Sequence, residues 1–208
     1  MSSVRIFGRS SSHFTRCVRI FAHELGIAYQ LVPALNLLSQ EVGDYGGNPA
    51  LKLPTLETET GSWFGALNIC RELARRAHAE ASIVWPEDLR DGIAANAQEL
   101  VLQGMSTEVS LIMGASRDAA SESPYAIKSH AGLRNSLAWL EEQLPHTLSQ
   151  LPPNRRLSFF EVTLFCLGTH LRFRDVLDTA GFPLLQVFWA EFAERGSAQS
   201  TEYRFDAR

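Results

Sequence analysis

Lysine is nearly missing from this sequence: Lys52 and Lys128 are the only two, and the other 17 of its 19 basic residues are arginines. Against 23 acidic residues these leave a formal net charge of -4, with no basic stripe, so a nucleic-acid surface is not expected. Cysteine is scarce as well. Cys17, Cys70 and Cys166 are far apart, odd in number and without a CxxC pair. That argues against a disulfide framework and against a paired-cysteine zinc site, and it points to a reducing compartment. The six histidines (His13, His23, His78, His130, His146 and His170) show no ligand spacing, and no metal is expected. Long apolar runs are absent too: no stretch approaches the ~20 residues that cross a bilayer. The opening Met-Ser-Ser-Val-Arg leads into no apolar leader. Cytoplasmic location is the resulting expectation, with no membrane partner.

What is present is an ordinary globular balance of 45% hydrophobic and 20% charged residues over 208 positions, enough for one large domain or two small ones. The first third alternates strand and helix. Residues 4–7 form a short apolar run that Gly8 ends. Ser10-Ser11-Ser12 is a polar loop suited to opening a helix, and Val18, Phe21, Ala22 and Leu25 then mark one helical face before Gly26 stops it. Residues 29–35 read as a second strand, and 55–59 with 62–64 as a hairpin around Thr60-Gly61. Ala66, Ile69, Cys70, Leu73 and Ala77 line one face of a further helix.

After a linker over residues 79–87, only helical patterns remain. Ile93, Ala97, Leu100, Val101, Met105 and Ile112 trace a long helix, and residues 114–124 read as a loop. Leu133, Leu137, Leu140, Leu144 and Leu148 form a stripe that Pro152-Pro153 breaks. Residues 158–174 are apolar nearly all round, as in a fully buried helix, with Ser158 and Glu161 spaced as a capping box. Leu185, Phe188, Trp189 and Phe192 mark a last helix. A mixed start and an all-helical remainder predict two domains of different class, over residues 1–80 and 88–208.

Four ordered patterns carry a resemblance to a known family. They are Phe7-Gly8-Arg9-Ser10-Ser11-Ser12-His13-Phe14-Thr15-Arg16-Cys17-Val18-Arg19; Asn48-Pro49-Ala50-Leu51-Lys52-Leu53-Pro54-Thr55-Leu56; Ser158-Phe159-Phe160-Glu161-Val162; and Phe182-Pro183-Leu184, Trp189, Glu194-Arg195-Gly196-Ser197 and Thr201. Together they resemble the glutathione S-transferase superfamily, and a serine-type bacterial cytosolic member of it. The resemblance implies an α/β thioredoxin-like N-terminal domain, an all-α C-terminal helical domain, a homodimer, and glutathione as co-substrate for conjugation to a small hydrophobic electrophile, as in detoxification.

It also implies a site. Ser12 stands where related redox proteins carry the first cysteine of CxxC, and Ser12-His13-Phe14-Thr15 contains no sulfur, so disulfide exchange is not available there. A serine hydroxyl and a helix start aimed at the glutathione sulfur favour its thiolate, since a free thiol with a pKa near ~8.5 is mostly protonated at neutral pH. Ser11 is the second choice, and from the residues alone all three serines read as a solvated capping loop. Phe7 occupies the position where some members carry a tyrosine. Lys52, Leu53 and Pro54 are implied to hold the peptide part of glutathione, Leu53-Pro54 being cis in the family; a strand-edge proline and a surface lysine are the plain alternatives. One departure stands out: Gly65-Ala66 replaces the acidic residue and serine that grip the γ-glutamyl end. That substitution keeps a second reading open, a non-catalytic binding or interaction protein with a degenerate site. A cysteine-dependent member is disfavoured because residue 12 is serine. Cys17, Cys70 and Cys166 read as core thiols, and Met105 and Met113 as packing residues or as lining for the acceptor substrate.

Overall fold

The structure, a computed structural model, describes residues 4–114 and 123–207. It divides into two compact units, Met1–Ile83 with Ala193–Arg208, and Val84–Phe192.

The first unit is built on a four-stranded sheet. Its strands are β1 (Val4–Gly8), β2 (Tyr29–Pro33), β3 (Thr55–Thr58) and β4 (Gly61–Phe64), in the order β2-β1-β3-β4. β1 and β2 run parallel, which needs a crossover connection between them, while β3 pairs antiparallel with both β1 and β4. The crossover helix is α1 (His13–Glu24), which closes at Leu25 with Gly26 in the left-handed region at φ 68°, the stop the sequence suggests. α2 (Ala66–Arg76) follows β4 and buries Ala66, Ile69, Cys70, Leu73 and Ala74. The expected last member of that face, Ala77, is only half-buried, because it already caps the helix. Val18, Phe21, Ile6, Leu56, Ile69 and Leu73 are wholly buried and form the core of this unit. A thioredoxin-like sheet and helix arrangement is the result.

The second unit is helical. α3 (Gly92–Gly114), α4 (Pro124–Ser149), α5 (Phe159–Arg174) and α6 (Pro183–Ala193) carry most of it. α4 begins well before its leucine stripe. Ser123 accepts a hydrogen bond from the Ala126 N–H at 3.1 Å and Pro124 takes the first helical position, both ordinary helix starts that a periodicity reading passes over. The expected loop over 114–124 otherwise falls largely outside the described residues. α4 buries Leu133, Leu137, Leu140, Leu144 and Thr147, the stripe drifting off Leu148 at its end. α3 turns Ala97, Val101 and Met105 inward with Gly104, where an added Cβ would sit 3.1 Å from Leu167 of α5. α5 is buried from Phe159 to Leu171 apart from Thr169. Trp189 of α6 lies tight against Gly168 and donates its indole N–H to the Leu164 carbonyl at 3.1 Å.

The capping box does not form. Ser158 occupies the N-cap of α5 with extended backbone but makes no cap hydrogen bond, and its buried hydroxyl has no partner among the described residues. Glu161 is engaged elsewhere: Arg155 donates to both its oxygens, from Nε at 2.7 Å and from the guanidinium terminus at 2.5 Å. A carboxylate held at both oxygens by a fork is turned away from the Ser158 N–H.

Candidate active site at one end of the sheet

Strand register gathers the predicted residues. Phe7 pairs with Thr55, and Thr55 pairs with Phe64, so the C-terminal end of β1, the N-terminal end of β3 and the C-terminal end of β4 lie in one row. The residues just past that row are the loop 9–12, Leu53-Pro54, and Gly65-Ala66. Adjacent strands lie about 4.8 Å apart, so the row spans roughly 10 Å. Residues far apart in sequence therefore meet along one edge because of pairing alone.

At the β1 corner, Gly8 permits a close crossing. A Cβ there would collide with the side chain of Thr15, which is wholly buried in the first turn of α1. Thr15 Oγ1 accepts from the Arg9 N–H at 3.3 Å, and the Ser12 N–H donates to the Arg9 carbonyl at 3.1 Å. Ser12 is the N-cap of α1: its backbone is extended (φ -105°, ψ 127°) and its hydroxyl oxygen accepts from the Thr15 N–H at 3.3 Å. The capping reading of Ser12 is thus correct as far as it goes. A hydroxyl also donates, and a cap uses only a lone pair, so the Ser12 O–H remains available to an acceptor beyond the helix start. Ser12 is half-buried, whereas Ser10 and Ser11 are buried.

In the β3 corner the Leu53–Pro54 peptide is cis. Asn48 organises its approach, donating from Nδ2 to the Lys52 carbonyl at 2.7 Å and accepting from the Ala50 N–H at 3.0 Å. Among the described residues the N–H and C=O of Leu53 have no hydrogen-bond partner, and Leu53 is half-buried. Lys52 is exposed, and its ammonium likewise has no partner among the described residues.

At the β4 corner Gly65 is the N-cap of α2, with φ 81° and ψ 138° and no side-chain cap. A glycine fits that left-handed φ without cost, and any other residue is strained there. Space is not the constraint, since a Cβ added at Gly65 would meet nothing within 4 Å. The first N–H groups of α2 are consequently uncapped by any side chain.

Other residues sort as packing. Cys17, Cys70 and Cys166 are all fully buried. Met105 is wholly buried, and Met113 is exposed at the end of α3. What the sequence reading missed is the set around α1: Thr15, the buried Arg16 and Arg19, and Asp206, whose Oδ2 accepts from the Ser10 N–H at 2.9 Å. Arg16 and Arg19, three apart on α1 and off the face marked by Val18, Phe21, Ala22 and Leu25, were the available signal.

Residues 6–81 match the family model described as glutathione S-transferase, N-terminal domain. No curated protein sequence matches the chain. Among solved structures, a glutathione S-transferase from Methylobacillus flagellatus with glutathione bound is 21% identical, with a TM-score of 0.77, covering 97% of this chain and 100% of that one. A glutathione transferase family member from Pseudomonas fluorescens Pf-5, also with bound glutathione, is 20% identical with a TM-score of 0.78 over the same shares of the two chains. Poplar glutathione transferase F1 is 16% identical with a TM-score of 0.68, covering 97% of each chain. The chain thus has the glutathione S-transferase fold, a thioredoxin-like sheet unit with a helical unit, and its residues 6–81 match the N-terminal domain of that family.

Proposed function

We propose that this protein is a glutathione transferase in which the Ser12 hydroxyl stabilises the glutathione thiolate. The observation that carries the reading is the row of three open corners on one sheet end: a half-buried hydroxyl at a helix start, an unpaired backbone N–H and C=O at Leu53, and the uncapped start of α2. An extended tripeptide is about 10 Å long, the span of that row. Leu53 pairs with the cysteinyl residue through both backbone groups, Lys52 lies at the peptide's side, and the free N–H groups after Gly65, beginning at Ala66, take the γ-glutamyl carboxylate. The sulfur then faces Ser12. The thiol releases its proton to solvent, the thiolate accepts the Ser12 O–H, and its sulfur attacks the electrophilic carbon as the leaving group departs. A small hydrophobic electrophile, a homodimeric assembly and a detoxifying role in the cytoplasm complete the proposal.

A second reading rests on Gly65. Its φ of 81° and the missing acidic side chain leave the γ-glutamyl ammonium without a carboxylate partner at this position. Loss of such a partner costs on the order of 1.5–3 kcal/mol, about tenfold to a hundredfold in affinity. That favours a binding or interaction protein with a degenerate site. Calorimetric titration of the pure protein with glutathione, alongside conjugation of 1-chloro-2,4-dinitrobenzene, separates the two. Binding with turnover supports the transferase, binding without turnover supports the module, and absence of both overturns the glutathione reading.

A further inference from the structure

We propose that Asp206 is a positioning residue for the loop that carries Ser12, held in place by a segment that runs back along α1. Its consequence for catalysis rests on the transferase reading above; the holding of the loop does not.

The segment over residues 195–206 follows α1 from its end to its beginning. Glu24, in the last turn of α1, accepts from the Ser197 hydroxyl at 2.6 Å and pairs with Arg195 at 3.5 Å. Further back along the helix, Arg19 donates to the Ser200 carbonyl at 3.4 Å. Arg16 donates to the Ala198 carbonyl at 3.1 Å and to the Thr201 hydroxyl at 3.5 Å, and its guanidinium lies 4.3 Å from the centroid of the Tyr203 ring. Both arginines are only 5% exposed. A guanidinium is seldom buried unless it is well partnered, so these contacts tie the segment to the helix by chemistry that neither side would tolerate losing. The segment then arrives at the loop before α1, where Asp206 takes the Ser10 N–H at 2.9 Å.

That contact is placed to matter. Ser10 is wholly buried, and a buried N–H must be paired. Two further backbone donors hold the loop, Arg9 N–H to Thr15 at 3.3 Å and Ser12 N–H to Arg9 at 3.1 Å, and both bonds join neutral groups. The Asp206 contact is shorter than either and is assisted by charge, two residues before Ser12. Removing the acceptor leaves the Arg9–Ser10 peptide with the bond its carbonyl accepts from the Ser12 N–H, so any rotation of that peptide carries Ser12 and the direction of its O–H with it.

The test uses the full chain carrying Asp206→Ala or Asp206→Asn, the second of which keeps an acceptor oxygen. Backbone hydrogen exchange over residues 9–14 is measured without any ligand, and kcat and KM are measured for conjugation of 1-chloro-2,4-dinitrobenzene. We expect Asp206→Ala to speed exchange over 9–14 while leaving β3 and α2 unchanged, and Asp206→Asn to restore the parent pattern. We expect kcat to fall about tenfold in Asp206→Ala, with KM for glutathione within about twofold, since misplacement of a catalytic group acts on the reacting geometry. The Asn variant should recover kcat. Unchanged exchange in Asp206→Ala, or an Asn variant as impaired as the Ala variant, overturns the inference. If the parent shows no turnover, the transferase reading fails by that result, and the exchange measurement still decides the role of Asp206.

Discussion

The two helix starts that frame the candidate site are made in opposite ways. α1 begins with a side-chain cap from Ser12, a buried Thr15 behind it and a carboxylate from Asp206 on the loop before it. α2 begins with Gly65, no side-chain cap, and open space around the missing Cβ. The thiol end of the proposed site is therefore built from side chains and locked by distant contacts, while the γ-glutamyl end is offered by backbone alone. A backbone-only end holds a carboxylate but carries no charge to answer an ammonium. The asymmetry predicts that substitutions at the first start will change the chemistry and that those at the second will change affinity.

The largest effect expected is at Ser12. Ser12→Ala should lower kcat/KM for conjugation by about tenfold to a hundredfold, the worth of a hydrogen bond to a charged group, and should raise the pH at which activity appears. The same change removes a cap and should lower stability by about 1 kcal/mol in denaturant titration. Ser12→Asp separates the two: it keeps a good cap but sets a carboxylate against the thiolate, so stability should hold while activity is lost. An active Ser12→Asp protein would show that the hydroxyl faces away from the sulfur.

Gly65→Glu comes next. At φ 81° a side chain costs about 1–3 kcal/mol in backbone strain, although the site has room for it. Thermal unfolding should show that loss, while glutathione affinity rises through the new partner for the ammonium. Unchanged stability would mean that α2 can begin with a different backbone geometry. Ala66→Ser is the milder repair. It adds a hydroxyl at the first helical position without touching Gly65, and calorimetry should show binding tighter by about threefold to tenfold, one ordinary hydrogen bond.

The smallest effect belongs to a third helix start, which serves as a control. Asp91 accepts from Ile93 and Ala94 N–H at the beginning of α3 and meets His146 of α4 at 2.9 Å. The Ala94 hydrogen bond first, and His146 second, hold its carboxyl below the ordinary value of 3.8. A carboxyl lowered in the folded state stabilises above its unfolded value and loses that contribution as pH falls through the folded one. Asp91→Asn should therefore flatten the acid limb of stability below pH 3.8, with no change in glutathione affinity.

Much of the first unit was legible because its signals are local. Gly8 and Gly26 bracket the first strand and helix, and the Thr60-Gly61 turn and the face of α2 follow from composition over a few residues. Ser12 could be read as a cap from its position alone. The Ser158–Glu161 capping box had the correct spacing and still failed, because spacing does not reveal that Arg155 competes for the carboxylate. The start of α4 at Pro124 was missed because a leucine stripe reports where a helix is buried, not where it begins.

By itself, the sequence determined the alternation of elements in the first unit, the helical character of the second, a serine rather than a cysteine at residue 12, and Gly65 rather than an acidic residue before α2. Only the tertiary structure decided which groups meet. Strand pairing aligned the corners that carry Ser12, Leu53 and Gly65 along one sheet end. Burial of Arg16 and Arg19 drew the segment 195–206 onto α1 and brought Asp206 to Ser10, 196 positions away. Helix and strand preferences arise from neighbours a few residues apart, whereas a buried charge or an unpaired N–H takes its partner from whatever the fold delivers.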